Sequence, residues 1–425
     1  MFDRNTTKTI YIIDGYAFIF RAFYAVPNLT SKTGEPIGAV FGFFKMLISL
    51  INTERPNYIV VALDTGKRTF RNDIYDNFIE NKSINELYSC QNCKEHFDKF
   101  NISLEEIKNL SSTELIDRLN IDKDKVIKIC EEFNVDFINP PKVLVLLLFL
   151  EMGDNIKVED YKTQYKANRR ETPVELKSQF KIVKELIDAM NIKTESVIGY
   201  EADDVIASIA TEAVDKGYKA VIVTGDKDLC QLVKDDKISV FDPSKKKVLD
   251  EQGVIERFGV KSNQVCDYLS IVGDHSDNVF GVNGIGPKGA IKLLEKYGNI
   301  ENILLHLNEL DDKTRQKFID SKEVLELAHK LISLKYDALQ IDNFEKYLFK
   351  LDEQGLRNFR EKYGFKDIDS NLNHSGFRRK NNNSEKKETE NTLDFDDKKD
   401  EIENDNKKND DKKIENKNLF QGSLF

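Results

Sequence analysis

Nine carboxylates stand where a folded chain could gather them. The apolar run Tyr11-Ile12-Ile13 ends in Asp14, and Ile59 to Leu63 ends in Asp64. A third run, Ala220 to Val223, leads through Thr224-Gly225 into Asp226-Lys227-Asp228. Glu201, Asp203 and Asp204 open an amphipathic segment, where Glu201 and Asp204 are three apart and so can share one helix face. Asp274 and Asp277 lie in Gly273-Asp274-His275-Ser276-Asp277-Asn278. Carboxylates massed in this way repel one another unless cations neutralise them. A donor set of oxygens alone, without thiolate or imidazole, suits a hard ion, Mg²⁺ or Mn²⁺. Two such ions activate a water and stabilise both the attacking and the leaving oxygen at phosphorus, so the pattern points to phosphodiester hydrolysis. Read singly, an Asp after a strand is a turn residue or helix cap, Glu201 or Asp203 a helix-start acid, and Asp228 an N-cap. Five clusters in one chain outweigh those readings.

The elements that must position these residues are legible in the hydropathy. Strand-like runs alternate with helical patterns: Thr9 to Ile13 and then a helix, Tyr58 to Leu63, a helix from Pro173 to Asn191, another from Asp203 to Lys216, and Ala220 to Val223. That rhythm predicts an α/β fold, a parallel sheet wrapped by helices, with a crevice at the carboxyl ends of the strands. From Gly253 to Gly364 short helices punctuated by Gly replace the strands, which predicts a helical subdomain. The 425 residues, 40% hydrophobic, suffice for one large or two small cored domains. The longest apolar run, Val143 to Leu150, is too short to span a bilayer, and the polar start lacks the apolar stretch of a signal peptide. A cytoplasmic protein without membrane association is the expectation, and five Cys are too few for a disulfide framework. The net charge of −10 would argue against nucleic acid if it were spread evenly, but carboxylates massed around cations give the same total.

Two segments have the composition of nucleic-acid contacts. Gly281-Val282-Asn283-Gly284-Ile285-Gly286-Pro287-Lys288 carries three glycines that permit a tight turn between helices. Backbone N–H groups at Gly284 and Gly286 can then approach a phosphate while Lys288 and Lys292 supply charge. Pro287 fits the first turn of the following helix. Tyr165-Lys166-Ala167-Asn168-Arg169-Arg170 joins three cations to an aromatic ring, which suits a single strand.

Together these residues resemble the 5′ nuclease domain of bacterial DNA polymerase I, within the flap endonuclease family. The resemblance rests on Ile13-Asp14-Gly15, Ser31 to Pro36, Asp64 with Thr69-Phe70-Arg71, Tyr165 to Arg169, Gly199-Tyr200-Glu201-Ala202-Asp203-Asp204, Thr224 to Asp228, Gly273 to Asn278 and Gly281 to Lys288, and runs from about residue 9 to about residue 366. It implies a parallel-sheet nuclease core of the PIN type with a helical arch and a C-terminal helix-hairpin-helix (helix-3-turn-helix) subdomain. It further implies a stand-alone 5′-3′ exonuclease and flap endonuclease that works, as a monomer, on 5′ flaps, nicks and RNA-DNA primers in replication and repair, in a bacterial cytoplasm and at the nucleoid. The nine acids would hold two or more Mg²⁺ or Mn²⁺ ions, directly or through water, and the hairpin carbonyls a K⁺ ion. Lys166 would steer the scissile phosphate with support from Arg169, while Arg71, Tyr165 and Arg170 would contact DNA. The products would carry a 5′-phosphate and a 3′-hydroxyl.

The chain departs from that pattern between Phe70-Arg71 and Tyr165-Lys166, which family members join in under ten residues. Removing the 87 residues from Asn77 to Thr163 restores the spacing. The expected organisation is therefore a nuclease core and arch over 1–76 and 164–252, an insertion of unknown fold over 77–163, a helical DNA-binding subdomain over 253–372 and a disordered tail over 373–425. An insertion at the base of the arch is tolerated if it hangs outside. If it blocks threading, the chain is instead a catalytically impaired, structure-specific DNA-binding module; a related ribonuclease is a third reading. Cys90, Cys93, His96 and Cys130 could form a zinc site, though one Cys-x-x-Cys with scattered partners fits incidental thiols better. The tail holds 25 charged residues and only nine apolar ones among its 53, too few to fold. It ends in Gln421-Gly422-Ser423-Leu424-Phe425, in which Gln421, Leu424 and Phe425 resemble the peptide that docks replication proteins on the sliding clamp.

Overall fold

Alternation of buried β-branched residues builds the central sheet. Its strands are β1 (Thr9–Asp14), β2 (Tyr58–Ala62), β3 (Lys193–Glu195), β4 (Lys219–Val223), β5 (Ile238–Asp242) and β6 (Lys247–Leu249), in the order β3-β2-β1-β4-β5-β6. All pairs are parallel except β5 with β6. Ile12 stands opposite both Val60 and Ile222, so β1 is flanked by β2 and β4. The chain leaves β1 toward one neighbour and returns later on its other side, and ligands bind at the carboxyl ends of strands where order reverses in this way. This computed structural model describes residues 8–26, 29–89, 91–133, 140–150, 165, 166, 169, 171–243 and 245–365.

The two-residue period of the strands divides the interior. Ile13, Ile59, Val61 and Val223 pack on one face against α1 (Gly15–Ala25), α2 (Gly38–Glu54) and a later helix over Val174–Ala189. Ile10, Ile12, Val60 and Ile222 pack on the other face with a helix over Ala202–Asp215.

Where the structure describes it, over residues 77–89, 91–133 and 140–150, the segment expected to be an insertion is mainly helical. Helix α3 (Phe70–Ser89) runs through residue 77 without a break, so the expected boundary falls inside it. It is followed by α4 (Gln91–Lys99), α5 (Leu104–Asn109), α6 (Ser112–Arg118), α7 (Lys123–Phe133) and α8 (Lys142–Phe149). These short helices share an apolar core of their own, which includes Ile84, Leu87, Phe97, Ile107, Leu115 and Leu146. Side-chain oxygens of Ser103 and Ser111 cap α5 and α6, satisfying N–H groups that short helices leave exposed. The later pair on the sheet are α9 (Val174–Ala189) and α10 (Ala202–Asp215).

Beyond β6 come α11 (Glu251–Phe258), α12 (Val265–Val272), α13 (Pro287–Tyr297), α14 (Ile300–Leu305), α15 (Asp312–Asp320), α16 (Lys322–Ile332) and α17 (Glu353–Tyr363). The expectation that strands stop at residue 253 needs one amendment: a small hairpin, β7 (Gly273–Asp274) with β8 (Val279–Phe280), separates α12 from α13. A Cβ on Gly281 would lie 2.3 Å from the Ile271 carbonyl oxygen, so only glycine lets the chain leave this hairpin so close to α12. Among the described residues no helix is long and apolar enough to cross a membrane. Residues of the tail, including Gln421, Leu424 and Phe425, lie outside the described residues.

Candidate metal and nucleic-acid site

The strand ends deliver their acids to one basin. Asp14 is buried and caps α1, accepting from the Ala17 N–H at 3.3 Å and from Thr224 Oγ1 at 2.7 Å. Asp64 accepts from the Ala202 N–H at 2.8 Å, which ties the end of β2 to the start of α10. After β4, Thr224 Oγ1 also accepts from the Asp226 N–H, and Asp226 in turn accepts from the Asp228 N–H, each at 2.9 Å. Asp228, Asp274 and Asp277 bring carboxylate oxygens within 4.8 Å of one another.

The proton affinities record the crowding. Burial, with the charges of Asp226 and Asp64, pushes Asp14 up to about 6 even though Thr224 works against it. Asp203 and Asp228 lie well above the usual carboxylate range, through burial first and then the Asp226 charge. Asp64 and Asp277 are raised mainly by burial. Asp274 goes the other way: hydrogen bonds from Lys227 Nζ (2.6 Å) and from the Ser276 hydroxyl (2.6 Å) outweigh its burial and lower it.

Cations border the basin. Lys166 Nζ donates to Glu201 Oε1 at 2.6 Å and lies 3.8 Å from Asp277 Oδ2. Arg169 Nη2 is 2.6 Å from Asp277 Oδ1. The Lys166 N–H donates to the Asp277 carbonyl at 3.0 Å, fixing this cationic segment to the acidic loop. Beside Asp64, Lys166 and Glu201 opens a cleft of about 430 Å³ with Tyr16, Phe20 and Phe180 in its wall. Farther along the chain, Gly286 precedes α13 with Pro287 at its first position, and Lys288 and Lys292 are exposed one turn apart. Gly284 adopts φ of +75°, and its carbonyl accepts from Lys317 Nζ at 2.7 Å.

Comparison with known proteins decides what this basin belongs to. Residues 9–122 and 125–259 match the 5′-3′ exonuclease N-terminal resolvase-like domain, and residues 260–353 match the 5′-3′ exonuclease C-terminal SAM fold. The 5′-3′ exonuclease of Aquifex aeolicus is 32% identical over 356 residues, covering 84% of this chain and 91% of that protein. The chain belongs to the 5′-3′ exonuclease family. DNA polymerase I of Bacillus caldotenax is 27% identical over 371 residues; the match covers 84% of this chain and 32% of the polymerase. A zinc-bound structure of T5 5′-exonuclease aligns over 84% of this chain and 99% of that one, with 18% identity and a TM-score of 0.45.

Within this 5′-3′ exonuclease the first turn of α10 divides its acids between two tasks, which corrects three expectations. Asp204 was expected among the metal ligands, but its oxygens are fully engaged. They accept from Arg71 Nη1 at 2.6 Å, Arg71 Nη2 at 2.8 Å, the Lys335 N–H at 2.9 Å and the Glu201 N–H at 3.1 Å, four bonds that saturate a carboxylate. Arg71 was expected on DNA, yet it is 2% exposed, and its remaining donors reach the Leu331 and Ser333 carbonyls at 2.7 and 2.8 Å. Burial opposes its charge, and the bidentate Asp204 together with Glu201 holds it charged above its ordinary value. Tyr165 was expected as a stacking platform, but its ring is buried against Tyr75 and its hydroxyl donates to Glu201 at 3.4 Å. Arg170 lies outside the described residues.

The remaining acids fit divalent cations. The donors are all oxygens, and Asp228 Oδ1 is shut off from solvent with no hydrogen-bond partner among the described residues, an arrangement that is costly unless a cation meets it. Of the cysteines weighed for zinc and set down as incidental thiols, Cys93 and Cys130 are buried in the core of the α4–α8 unit. Cys90 and the His96 side chain lie outside the described residues.

Sequence reasoning overlooked Thr224, Lys227 and the aromatic wall. Thr224 and Lys227 interleave with the acids of their own motif, and Tyr16 and Phe20 follow Asp14 at helical spacing, so a signal existed for each. Phe180 comes from α9 and had none.

Proposed function

We propose that this chain hydrolyses phosphodiester bonds at the 5′ ends of DNA strands, at nicks and flap junctions and on RNA-DNA primers, using two or more Mg²⁺ or Mn²⁺ ions. The observation that carries the reading is the solvent-shielded, unpartnered Asp228 Oδ1 in a basin of acids bordered by Lys166 and Arg169. Asp14, Asp64, Glu201, Asp203, Asp226, Asp228, Asp274 and Asp277 would hold the ions directly or through water. Bound there, the ions supply Lewis-acid stabilisation of phosphoryl oxygens and a more acidic water.

The chain's own groups do the rest. Lys166 exchanges Glu201 for the scissile phosphate and positions it, with Arg169 moving likewise from Asp277. Tyr16, Phe20 and Phe180 offer apolar surface to the base next to that phosphate. Lys288, Lys292 and the N–H groups that open α13 hold phosphates of the duplex, so an acidic protein binds DNA through local basic patches. A K⁺ ion at the hairpin would share the Gly284 carbonyl with Lys317. Gln421, Leu424 and Phe425 would tether the nuclease to the sliding clamp through a charged tail.

The test is cleavage of a 5′-labelled flap duplex in Mg²⁺ by the wild-type chain and by Asp226→Asn. Cutting near the junction by wild type alone is the expected result. A wild-type chain that binds flaps and leaves them uncut sinks the catalytic reading in favour of a binding module.

A further inference from the structure

Away from the acidic basin, α12 and α16 bring together a second group of reactive side chains. Cys266 and Asp267 are neighbours on α12, His329 lies in the last turn of α16, and Ser333 follows at its end. Ser333 Oγ is 3.3 Å from Cys266 Sγ and 3.4 Å from His329 Nδ1, and His329 Nε2 is 3.4 Å from Asp267 Oδ1. Cys266 is half-buried and the imidazole half exposed, so small reagents can reach the group. Tyr336 also faces the sulfur. Hydrogen bonds to Asp267 first and to Cys266 second push His329 up to about 10, so it is a cation at neutral pH.

Nothing in the nuclease chemistry uses this arrangement. A sulfur, a hydroxyl, an imidazole and a carboxylate in contact in that order form the kind of side-chain relay that orients an attacking thiol and supplies its leaving group with a proton. Cys93, Cys130 and Cys230 are buried, and burial pushes Cys230 up to about 11. We propose that Cys266 is a reactive thiol, open to hydroperoxides and soft electrophiles, with His329 and Asp267 as its positioning residues. With hydrogen peroxide the ionised sulfur attacks one oxygen: an S–O bond forms and the O–O bond breaks. The departing hydroxide takes a proton from His329 and leaves as water. Sulfur is oxidised to sulfenic acid as the peroxide is reduced. The added oxygen would stand against Ser333, whose carbonyl holds Arg71, which connects the modification to the Arg71–Asp204 pair.

The experiment uses the full chain at pH 7. Iodoacetamide alkylation is followed by peptide mass mapping, and in parallel substoichiometric hydrogen peroxide is applied with dimedone to trap sulfenic acid. Cys266 is expected to alkylate about tenfold faster than glutathione and to carry the dimedone adduct. His329→Gln and the shape-preserving Asp267→Asn should each bring its rate down toward that of glutathione, with thermal unfolding recorded for both. A wild-type Cys266 that reacts no faster than glutathione overturns the proposal without any variant. Rates unchanged in both folded variants overturn the part assigned to His329 and Asp267.

Discussion

Asp204 and Asp228 each keep carboxylate oxygen from water, but in opposite condition. Asp204 is fully buried, and Arg71 with two backbone N–H groups uses every position its carboxylate can accept from. Asp228 faces Asp226, Asp274 and Asp277, and one of its oxygens has no hydrogen-bond partner among the described residues. A buried charge with its partners in place holds helices together. A buried charge without them is costly, and a cation at the proposed site would relieve it. The two conditions lie along one motif: Glu201, Asp203 and Asp204 share a helix start, yet only the last is locked.

The contrast can be broken or sharpened by experiment. Arg71→Ala leaves Asp204 buried and unpaired and is expected to cost about 3–5 kcal/mol in urea unfolding. Replacing both partners together, Arg71→Met with Asp204→Leu, removes the unpaired charge but orphans the Glu201 and Lys335 N–H groups, so it should recover only part of that loss; a double variant as stable as wild type would mean that Asp204 is no lock. Asp226→Asn should act in the opposite sense. Cleavage is expected to fall about a hundredfold or more. The metal-free protein should be no less stable, because repulsion on Asp14, Asp203 and Asp228 is relieved. Mg²⁺ at a hundredfold excess over its Kd should stabilise the wild-type fold by about 2.7 kcal/mol. Calorimetry should show that increment shrinking in Asp228→Asn and surviving in Arg71→Met/Asp204→Leu.

The smallest effect belongs to half-exposed His329 beside the buried Asp267. His329 is raised in the folded state from 6.5 to about 10, so its contribution is fully present below pH 6.5 and is lost as pH rises through 10. Half exposed and screened, it is worth below about 1 kcal/mol. The Tm difference between wild type and His329→Gln should be largest at pH 6 and vanish above pH 10; a difference that grows with pH would show the wrong sign.

Much of this arrangement is legible in the sequence because strands write it locally. The runs before Asp14, Asp64 and Asp226 have the composition of buried parallel strands, and the acids follow at once. What could not be read depends on distant partners. No spacing announces that Arg71 will find Asp204, or that carbonyls at Leu331 and Ser333 will complete its cage. Tyr165 looks like a surface ring until Tyr75 covers it. Strands β3 and β6, three residues each, are too short to show a period. The α4–α8 unit hides its core by scattering single apolar residues through polar helices, so that only their convergence identifies it.

Helix α3 has one more consequence, and it is mechanical. Its first turn carries Arg71 and its last turns carry Ile84 and Leu87, which pack into the core of the α4–α8 unit, so one rod spans both. Twenty helical residues measure about 30 Å. A tilt of about 5° at the Arg71 end sweeps the far end through about 2–3 Å, and a load on the far end returns to Arg71 as torque. Helices α4–α8 are therefore geared to the ion pair that fixes α10, and whatever grips them has leverage on the acids at its start.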